Sequence, residues 1–414
     1  MIAANIVKIG LLSLAIAGIL FPSTSLAGRI LQEIDGAKRV PAQSSGIKDS
    51  PELARQYIKG KQYELAIDVY TKVLKESVSK SEQADLYIER ARAHLKLNQY
   101  QEAWSDADLA IYKDPKNPMG FAVRGQASGL MDKLEASVAD FTKAIELSPS
   151  MSQFYALRGG AYLDSGQAQK ARDDFSTAID LGKNEVNPIV FQQRAFALRK
   201  LGKYEDALLD FSESLKRDPS LVHSRLSRGA LYRCLQRYKV AKLDLDVVLK
   251  ENPENSEAYL QRAFVSMAQG NFKSALNDLL YADSHGMKDP YLLLSLAYSN
   301  FRLGRLSEAF NYNTRAMVEF PDQLQSAAVL QKGVLLLATG KADAASQTLS
   351  EGQSLAEQNV SIQNIADTVD DLDRLEAQHI INHNVVGEIR NRLIKTLNHL
   401  KARSGLVMHK CHDS

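Results

Sequence analysis

The residues best placed to do chemistry lie near the carboxyl end of this 414-residue chain. His379 and His383 are four residues apart in a segment with helical periodicity, so both imidazoles would lie on one side of a helix. Segment 409–412, His-Lys-Cys-His, could also hold a soft metal ion. The zinc-protease helix needs a glutamate directly after its first histidine, whereas Ile380 occupies that position here. We interpret both groups as surface features and predict no metal and no cofactor.

Catalytic motifs are missing from the rest of the sequence. There is neither of the common glycine-rich phosphate loops and no nucleophile-elbow pattern, so we predict that the protein is not an enzyme. The formal net charge is only +2, which lacks the basic excess of a nucleic-acid-binding protein. Two distant cysteines, Cys234 and Cys411, do not form a disulfide framework, although one cross-link between them remains open.

The first 27 residues have the features of a signal peptide. Lys8 precedes an apolar run from 9 to 21, and the small residues Ser25 and Ala27 follow at the positions that a signal peptidase reads. An uncleaved anchor would need about 20 apolar residues, and this run is shorter. No later run is apolar for long enough to span a membrane. We expect cleavage after Ala27 and an exported, periplasmic mature chain without a transmembrane segment.

A repeated pattern runs through most of the remaining chain. One small residue, here called the anchor, recurs nine times. Five of the eight intervals between anchors are 34 residues long, and the other three are 36 or 37 residues long. The anchors are Ala66, Ala103, Ser137, Ala171, Ala207, Ala241, Ala275, Ala309 and Ala345. Another small residue lies twelve positions before each anchor, and an aromatic or large apolar residue follows most anchors by four positions. Ala107 and Asn313 interrupt that last column. Small residues allow two antiparallel helices to approach closely, and the larger residue fills the space between one helix pair and the next.

These columns resemble the tetratricopeptide repeat, a 34-residue pair of antiparallel helices. The resemblance implies an all-α fold, a right-handed α-solenoid of about nine helix hairpins over residues 51–359. It also implies a scaffold that binds other proteins. Residues 28–50 then form a flexible leader, and residues 404–414 form a disordered tail. The apolar stripes in residues 360–403 predict helices that cap the array, with a helix that docks a partner as the alternative.

A second pair of columns consists of arginines and aspartates. In six hairpins, an arginine lies thirteen positions before the anchor, directly before the small residue of the first helix. The same six hairpins carry an aspartate three positions after the anchor. The first and eighth hairpins lack both residues. Residues that come and go together are expected to touch, so we predict ion pairs between the two helices of a hairpin, among them Arg124–Asp140, Arg158–Asp174, Arg194–Asp210 and Arg228–Asp244. A ladder of arginines that binds anionic ligands is the alternative.

The resemblance implies that the first helices of the hairpins line a concave groove that binds a peptide or a helix. Residues at the matching positions are Gln192, Phe196, Arg199, His223, Arg233, Phe264, Tyr298 and Phe301. Because Phe196, Phe264 and Tyr298 share one column, we expect the groove to be more aromatic towards its carboxyl half, with these rings as anchors. The Lys and Asn pattern of the chaperone-tail clamp is absent from the matching positions.

We therefore predict a non-catalytic interaction scaffold of the bacterial periplasm with a protein partner and no nucleic acid. By analogy, it would support the assembly or export of a cell-envelope complex. Two alternatives remain open: a secretory-pathway co-chaperone, and a metal-dependent protein that uses the histidine-rich carboxyl end.

Overall fold

The computed structural model describes residues 49–76, 79–321, 325–359, 362–377 and 383–404. Within these ranges there are twenty α-helices and no strand, so the predicted all-α class is confirmed. The helices are α1 Pro51–Lys59, α2 Tyr63–Val73, α3 Lys80–Lys96, α4 Tyr100–Lys113, α5 Pro118–Leu130, α6 Leu134–Leu147, α7 Ser152–Asp164, α8 Ala168–Gly182, α9 Pro188–Lys200, α10 Tyr204–Arg217, α11 Val222–Cys234, α12 Tyr238–Glu251, α13 Ser256–Ala268, α14 Phe272–Ser284, α15 Pro290–Arg302, α16 Leu306–Glu319, α17 Gln325–Ala338, α18 Ala342–Gln358, α19 Ile362–Ala377 and α20 His383–Ser404. The predicted signal peptide, almost all of the leader, the tail after Ser404 and His379 lie outside the described residues.

The described helices fall into two compact units, with the boundary between Asp218 and Pro219. The amino-terminal unit contains five hairpins, from α1/α2 to α9/α10. The carboxyl-terminal unit contains four hairpins, from α11/α12 to α17/α18, followed by α19 and α20. Odd-numbered helices from α1 to α17 are the first helices of their hairpins, and each is followed by a second helix. Within each unit, successive hairpins stack side by side, as expected of an α-solenoid.

Each of the nine hairpins turns through the same backbone conformation. The residue five positions before the anchor has a positive φ of 58° to 78° in every copy, and these residues are Lys61, Asn98, Asp132, Gly166, Gly202, Gln236, Gly270, Gly304 and Gly340. A positive φ lets the next residue's N–H reach a carbonyl near the end of the first helix, as Lys203 N does with Leu198 O at 2.9 Å. The shared turn identifies all nine copies, including the first and the ninth, as members of the same series.

Close helix contacts explain the column of small residues. A Cβ atom added at Gly159 would lie 2.9 Å from Cε1 of Phe175, and one at Gly125 would lie 3.0 Å from Cε1 of Phe141. Both rings are fully buried. A larger side chain on the first helix would therefore displace the ring that seals the hairpin.

Four of the described helices, among them α5, α9 and α15, begin with an N-cap residue that proline follows. Asn117 accepts a hydrogen bond from Met119 N at 3.0 Å, and Asn187 accepts one from Ile189 N at 2.9 Å. The Asp289 carboxylate accepts two backbone bonds at the start of α15. Proline lacks an N–H and has a helix-compatible φ, so it fits the position that follows the cap.

The last two helices cover the apolar side of the ninth hairpin. Ile365, Leu372 and Leu375 of α19 are buried in one cluster with residues of α17 and α18 such as Leu330 and Leu349. This arrangement agrees with a capping role, because the final hairpin of a repeat array has no neighbour to bury its apolar flank. Among the helices that the structure describes, none is long and apolar enough to cross a membrane.

Candidate functional site

The predicted arginine–aspartate pairs are in two-point contact in the structure. In Arg158–Asp174, Nε donates to Oδ2 at 2.8 Å and Nη2 donates to Oδ1 at 2.9 Å. The same two bonds join Arg124 to Asp140, Arg194 to Asp210 and Arg228 to Asp244 at 2.7–3.0 Å. Bidentate pairing restricts both side chains, so each pair fixes the first helix of a hairpin against its second helix.

A third bond from the same guanidinium reaches the preceding hairpin, which the sequence analysis missed. Nη1 of Arg158 donates to Thr142 Oγ1 at 3.2 Å, and Nη1 of Arg124 donates to Asp108 Oδ1 at 2.6 Å. The acceptor lies five positions after the preceding anchor, where Ser, Thr or Asp recurs, so the signal was available in the sequence. The hydrogen bonds that Arg158 donates to Asp174 raise the pKa of the arginine, while burial opposes the shift. These bonds make the arginines structural links rather than a free ladder for anions.

The eighth hairpin is held by different bonds. Leu296 and Tyr312 occupy the arginine and aspartate positions, and Asn313 replaces the large apolar residue. Nδ2 of Asn313 donates to Ala328 O at 3.0 Å and to Gln331 Oε1 at 2.9 Å, so it links α16 to the next hairpin. Asn313, which interrupts the column of large apolar residues, therefore makes another kind of contact between hairpins.

The surface formed by the first helices, here called the first-helix face, contains the predicted partner-binding residues. In the amino-terminal unit, Phe196 and Arg199 of α9 are half-buried, and Gln192 is buried beside them. The Arg199 guanidinium carbon lies 5.6 Å from the centroid of the Phe196 ring, and that ring meets Phe211 edge-on at 5.4 Å. This geometry leaves part of an aromatic–cation pair accessible.

The charge of Arg199 is poorly compensated. Burial lowers the pKa of its guanidinium, and only the Tyr204 hydroxyl opposes this shift. Within the part of the chain that the structure describes, Arg199 makes no ion pair and no side-chain hydrogen bond, in contrast to the arginines that link the hairpins. A partly desolvated cation without a counter-charge favours an acidic ligand.

In the carboxyl-terminal unit, the predicted anchors are covered, and the expectation of open rings there is wrong. Phe264 is 0% exposed, Tyr298 is 5% exposed and Arg233 is 2% exposed. The Arg233 guanidinium carbon lies 5.4 Å from the Phe264 ring, and burial lowers the pKa of Arg233 to about 9. The Tyr298 ring packs edge-on against Phe272 at 5.8 Å. Packing with neighbouring helices therefore removes these side chains from solvent.

Two other predicted groove residues differ in exposure. His223 is exposed near the start of α11, and Phe301 is half-buried near the end of α15, where it packs beside the core of the ninth hairpin. The carboxyl-terminal unit therefore does not present the predicted aromatic surface as a continuous open strip.

Helix α19 covers part of this face. Arg374 of α19 donates to the Tyr298 hydroxyl of α15, and Arg302 donates to the same oxygen at 2.8 Å. A small cleft remains between the three helices; its lining residues are Tyr291, Leu294 and Ser295 of α15, Ala327, Gln331 and Val334 of α17, and Asn364, Asp367, Thr368 and Asp371 of α19. An internal helix thus lies where the sequence predicted a partner.

No cluster of three or more potential metal ligands occurs among the residues that the structure describes. His379 and the side chain of His383 lie outside them, as do the histidines of the tail. Cys234 is buried and disulfide-bonded, whereas Cys411 lies outside the described residues.

Comparison with known proteins links these hairpins to one family. A family model described as the tetratricopeptide repeat matches residues 52–118 and 131–185. Human tetratricopeptide repeat protein 13 is 29% identical over 135 residues, which cover 31% of this chain and 15% of that protein. Human RNA polymerase II-associated protein 3 is 26% identical over 183 residues, which cover 40% of this chain and 26% of that protein. The chain thus spans 15% and 26% of the length of these two relatives.

Solved structures of similar fold include the crystal structure of a tetratricopeptide repeat protein from Parabacteroides merdae ATCC 43184. It superposes with a TM-score of 0.47 and 18% identity, covering 58% of this chain and 94% of that one.

Proposed function

We propose that this chain, which is a tetratricopeptide repeat protein, is a non-catalytic scaffold that binds a segment of a partner protein on the first-helix face of its amino-terminal unit. Tetratricopeptide repeat proteins are scaffolds for protein–protein interactions. The ligand in this proposal is an extended peptide or a helix that lies across successive first helices.

The contact between Phe196 and Arg199 carries the proposal. A half-buried ring offers an apolar anchor, and the adjacent guanidinium offers a charge that no described acidic side chain neutralises. Rigid aromatic residues and arginines are common among the side chains that dominate binding energy. A partner segment that places an apolar side chain on Phe196 and a carboxylate near Arg199 would satisfy both.

The arginine links support this role because they hold the binding surface in place. Each link joins three helices through buried or half-buried polar groups, as Arg158 does with Asp174 and Thr142. A surface whose helices are fixed before binding loses less conformational freedom when a ligand arrives. The scaffold therefore supplies a preformed surface and needs no catalytic group.

A matched pair of variants tests the site. Replacing Phe196 and Arg199 together by Ala should reduce retention of the partner from the native cell envelope by about tenfold or more, equivalent to the loss of a hot spot. Leu209→Ala is the control, because Leu209 lies on the second helix of the same hairpin and is 69% exposed. If the double variant has native circular dichroism and retains the partner as well as the unmodified protein does, the proposed site is rejected.

We also propose an exported, periplasmic location and a role in assembling or exporting a cell-envelope complex. The location is supported by the sequence of residues 1–27 alone, and the envelope role is an analogy that follows from the location. Intact mass of the protein from a periplasmic extract should correspond to a chain that begins at Gly28. Retention of Met1 in a protein that fractionates with the cytoplasm would contradict the location.

A further inference from the structure

Helix α19 follows α18 in sequence, yet two of its side chains bond to first helices. Within the array, first helices bond both to the preceding second helix, as Arg158 does with Thr142, and to the preceding first helix, as Gln331 of α17 does with Leu294 O of α15. Helix α19 differs in reaching two first helices, one of them two hairpins back. Nδ2 of Asn364 donates to Ser326 Oγ of α17 at 2.8 Å, and Arg374 donates to Tyr298 of α15. It therefore lies across the first-helix face of α15 and α17.

The residues of α19 form an apolar stripe and an acidic stripe. Ile365, Leu372 and Leu375 are buried against the ninth hairpin. Alongside them, Asp370 and Asp371 form ion pairs with Arg374, which holds the helix to Tyr298. Amphipathic helices that occupy grooves in other proteins combine these two features, with apolar side chains for affinity and charges for register.

Contact between α19 and this face is incomplete. Oδ1 of Asn364 is buried at the cleft and has no hydrogen-bond partner in the described ranges. Asp371 is also buried there, and burial raises the pKa of its carboxyl to about 7 although Arg374 opposes the shift. Buried polar groups that are only partly satisfied reduce the stability of a contact. The unpartnered Asn364 oxygen therefore leaves the α19 contact without full polar satisfaction at the cleft, which favours opening of this contact.

We propose that the first-helix face of α15 and α17 is a binding surface for an acidic amphipathic helix of a partner protein, and that α19 is its displaceable internal occupant. When α19 leaves, Arg302 remains beside the Tyr298 hydroxyl, with its guanidinium carbon 4.2 Å from the Phe272 ring. Leu294 and Val334 supply the apolar part of the surface. A partner helix with two adjacent carboxylates and an apolar stripe complements these groups.

The proposal goes beyond the binding site at Phe196 and Arg199, because it uses other helices and another unit. Loss of partner binding at one surface would not predict loss at the other. A double change to Ala at Phe196 and Arg199 should leave the experiments below unchanged, so the two proposals can fail separately.

A labelled peptide with the sequence of residues 362–377 tests the surface by fluorescence anisotropy. The full-length protein should bind it weakly, because α19 occupies the site. A full-length variant with Leu372→Ala and Leu375→Ala loosens α19 and should bind the peptide about tenfold more tightly. A matched peptide with Asn at the positions of Asp370 and Asp371 should bind about tenfold more weakly than the acidic peptide. Adding Arg302→Ala to the variant with Leu372→Ala and Leu375→Ala should make the acidic and the Asn-substituted peptides bind equally.

Hydrogen exchange provides a second measurement that needs no variant. An isotope-labelled copy of the acidic peptide, added in excess to the full-length protein, should accelerate amide exchange in α19 while α15 stays protected. Unchanged exchange in α19 at saturating peptide would overturn the proposal, as would equal binding of the acidic and neutral peptides. If the loosened variant forms dimers by exchanging α19, the surface belongs to a second copy of this chain and the partner helix is rejected.

Discussion

The two units build the same hairpins but use the first-helix face differently. In the amino-terminal unit, Phe196 is half-buried and lies against a poorly compensated Arg199. In the carboxyl-terminal unit, the residues of the same column, Phe264 and Tyr298, are buried, and α19 bonds to Tyr298. A column of aromatic residues thus serves as accessible surface in one unit and as core in the other. Position in the repeat determines which helix carries a side chain, but neighbouring helices determine whether it stays accessible.

The largest difference should appear when the two phenylalanines of this column are each truncated. Phe264→Ala removes a fully buried ring and should lower the free energy of unfolding of its unit by about 3–5 kcal/mol. Phe196→Ala removes a half-buried ring and should cost about 1–2 kcal/mol. Urea titration with hydrogen exchange read separately in each unit measures both. Equal losses would show that Phe196 is core rather than binding surface.

The second prediction concerns the bonds that hold the hairpins together. Arg158→Ala leaves the buried Asp174 without its counter-charge and should lower the free energy of unfolding by about 2–3 kcal/mol. Asn313→Ala in the eighth hairpin removes neutral hydrogen bonds and should cost about 1–2 kcal/mol. The control is Lys143→Ala, whose exposed pair with Glu146 should contribute less than about 0.5 kcal/mol. A negligible effect of Arg158→Ala would contradict the linking role of the arginines.

The third prediction compares one column of small residues between the units. Gly159→Ala would place Cβ 2.9 Å from the Phe175 ring and should cost about 1–2 kcal/mol. The nearest atom to a Cβ at Gly229 is Ala241 O at 3.4 Å, so Gly229→Ala should be within about 1 kcal/mol of neutral. Thermal denaturation of both variants measures the two losses in stability. A cost at Gly229 that matches the cost at Gly159 would show that the spacing of the helices is the same in both units.

The smallest predicted effect is a pH dependence restricted to α19. Asp371 has an ordinary pKa of 3.8 when exposed and about 7 when buried beside Asp370 and Arg374 of its own helix and Tyr298 and Arg302 of α15. The docked helix therefore binds the proton more tightly, so docking is favoured at acid pH and weakens as pH rises from about 4 to about 7. Amide exchange in α19, corrected for intrinsic rates, should accelerate as the pH rises over this range.

Asp371→Asn should remove most of this dependence, because the amide does not titrate in that range. Helix α7 of the amino-terminal unit provides an internal reference in the same spectra. Faster exchange of α19 at low pH would reverse the sign and contradict the assignment to Asp371.

Much of the repeat architecture was predictable from spacing alone. The anchor residues and the small residues twelve positions earlier identified nine hairpins, because close helix contacts permit few residue types. The co-occurrence of Arg158 with Asp174 and its equivalents indicated contact within a hairpin. The third bond to Thr142 was missed because Ser, Thr and Asp on an exposed-looking helix position are common without a specific role.

The burial of Phe264 and Tyr298 was not predictable from their column. Their exposure depends on contacts with Arg233, Phe272 and Arg374, which lie between 26 and 76 residues away in sequence. The apolar stripe of α19 indicated a cap, but a stripe does not determine which helix it meets. The sequence therefore predicted which residues lie on the first-helix face, whereas tertiary contacts determined which of them are open to solvent.

The comparison can be tested most directly by photo-crosslinking in cells of the native host, with p-benzoylphenylalanine placed at position 196 or position 298 of the full-length protein. From position 196, the account predicts cross-links to a discrete partner protein, reduced when Arg199 is also changed to Ala. From position 298, it predicts cross-links within the chain to residues 362–377. Cross-links to the same external protein from position 298 but not from 196 would contradict the account.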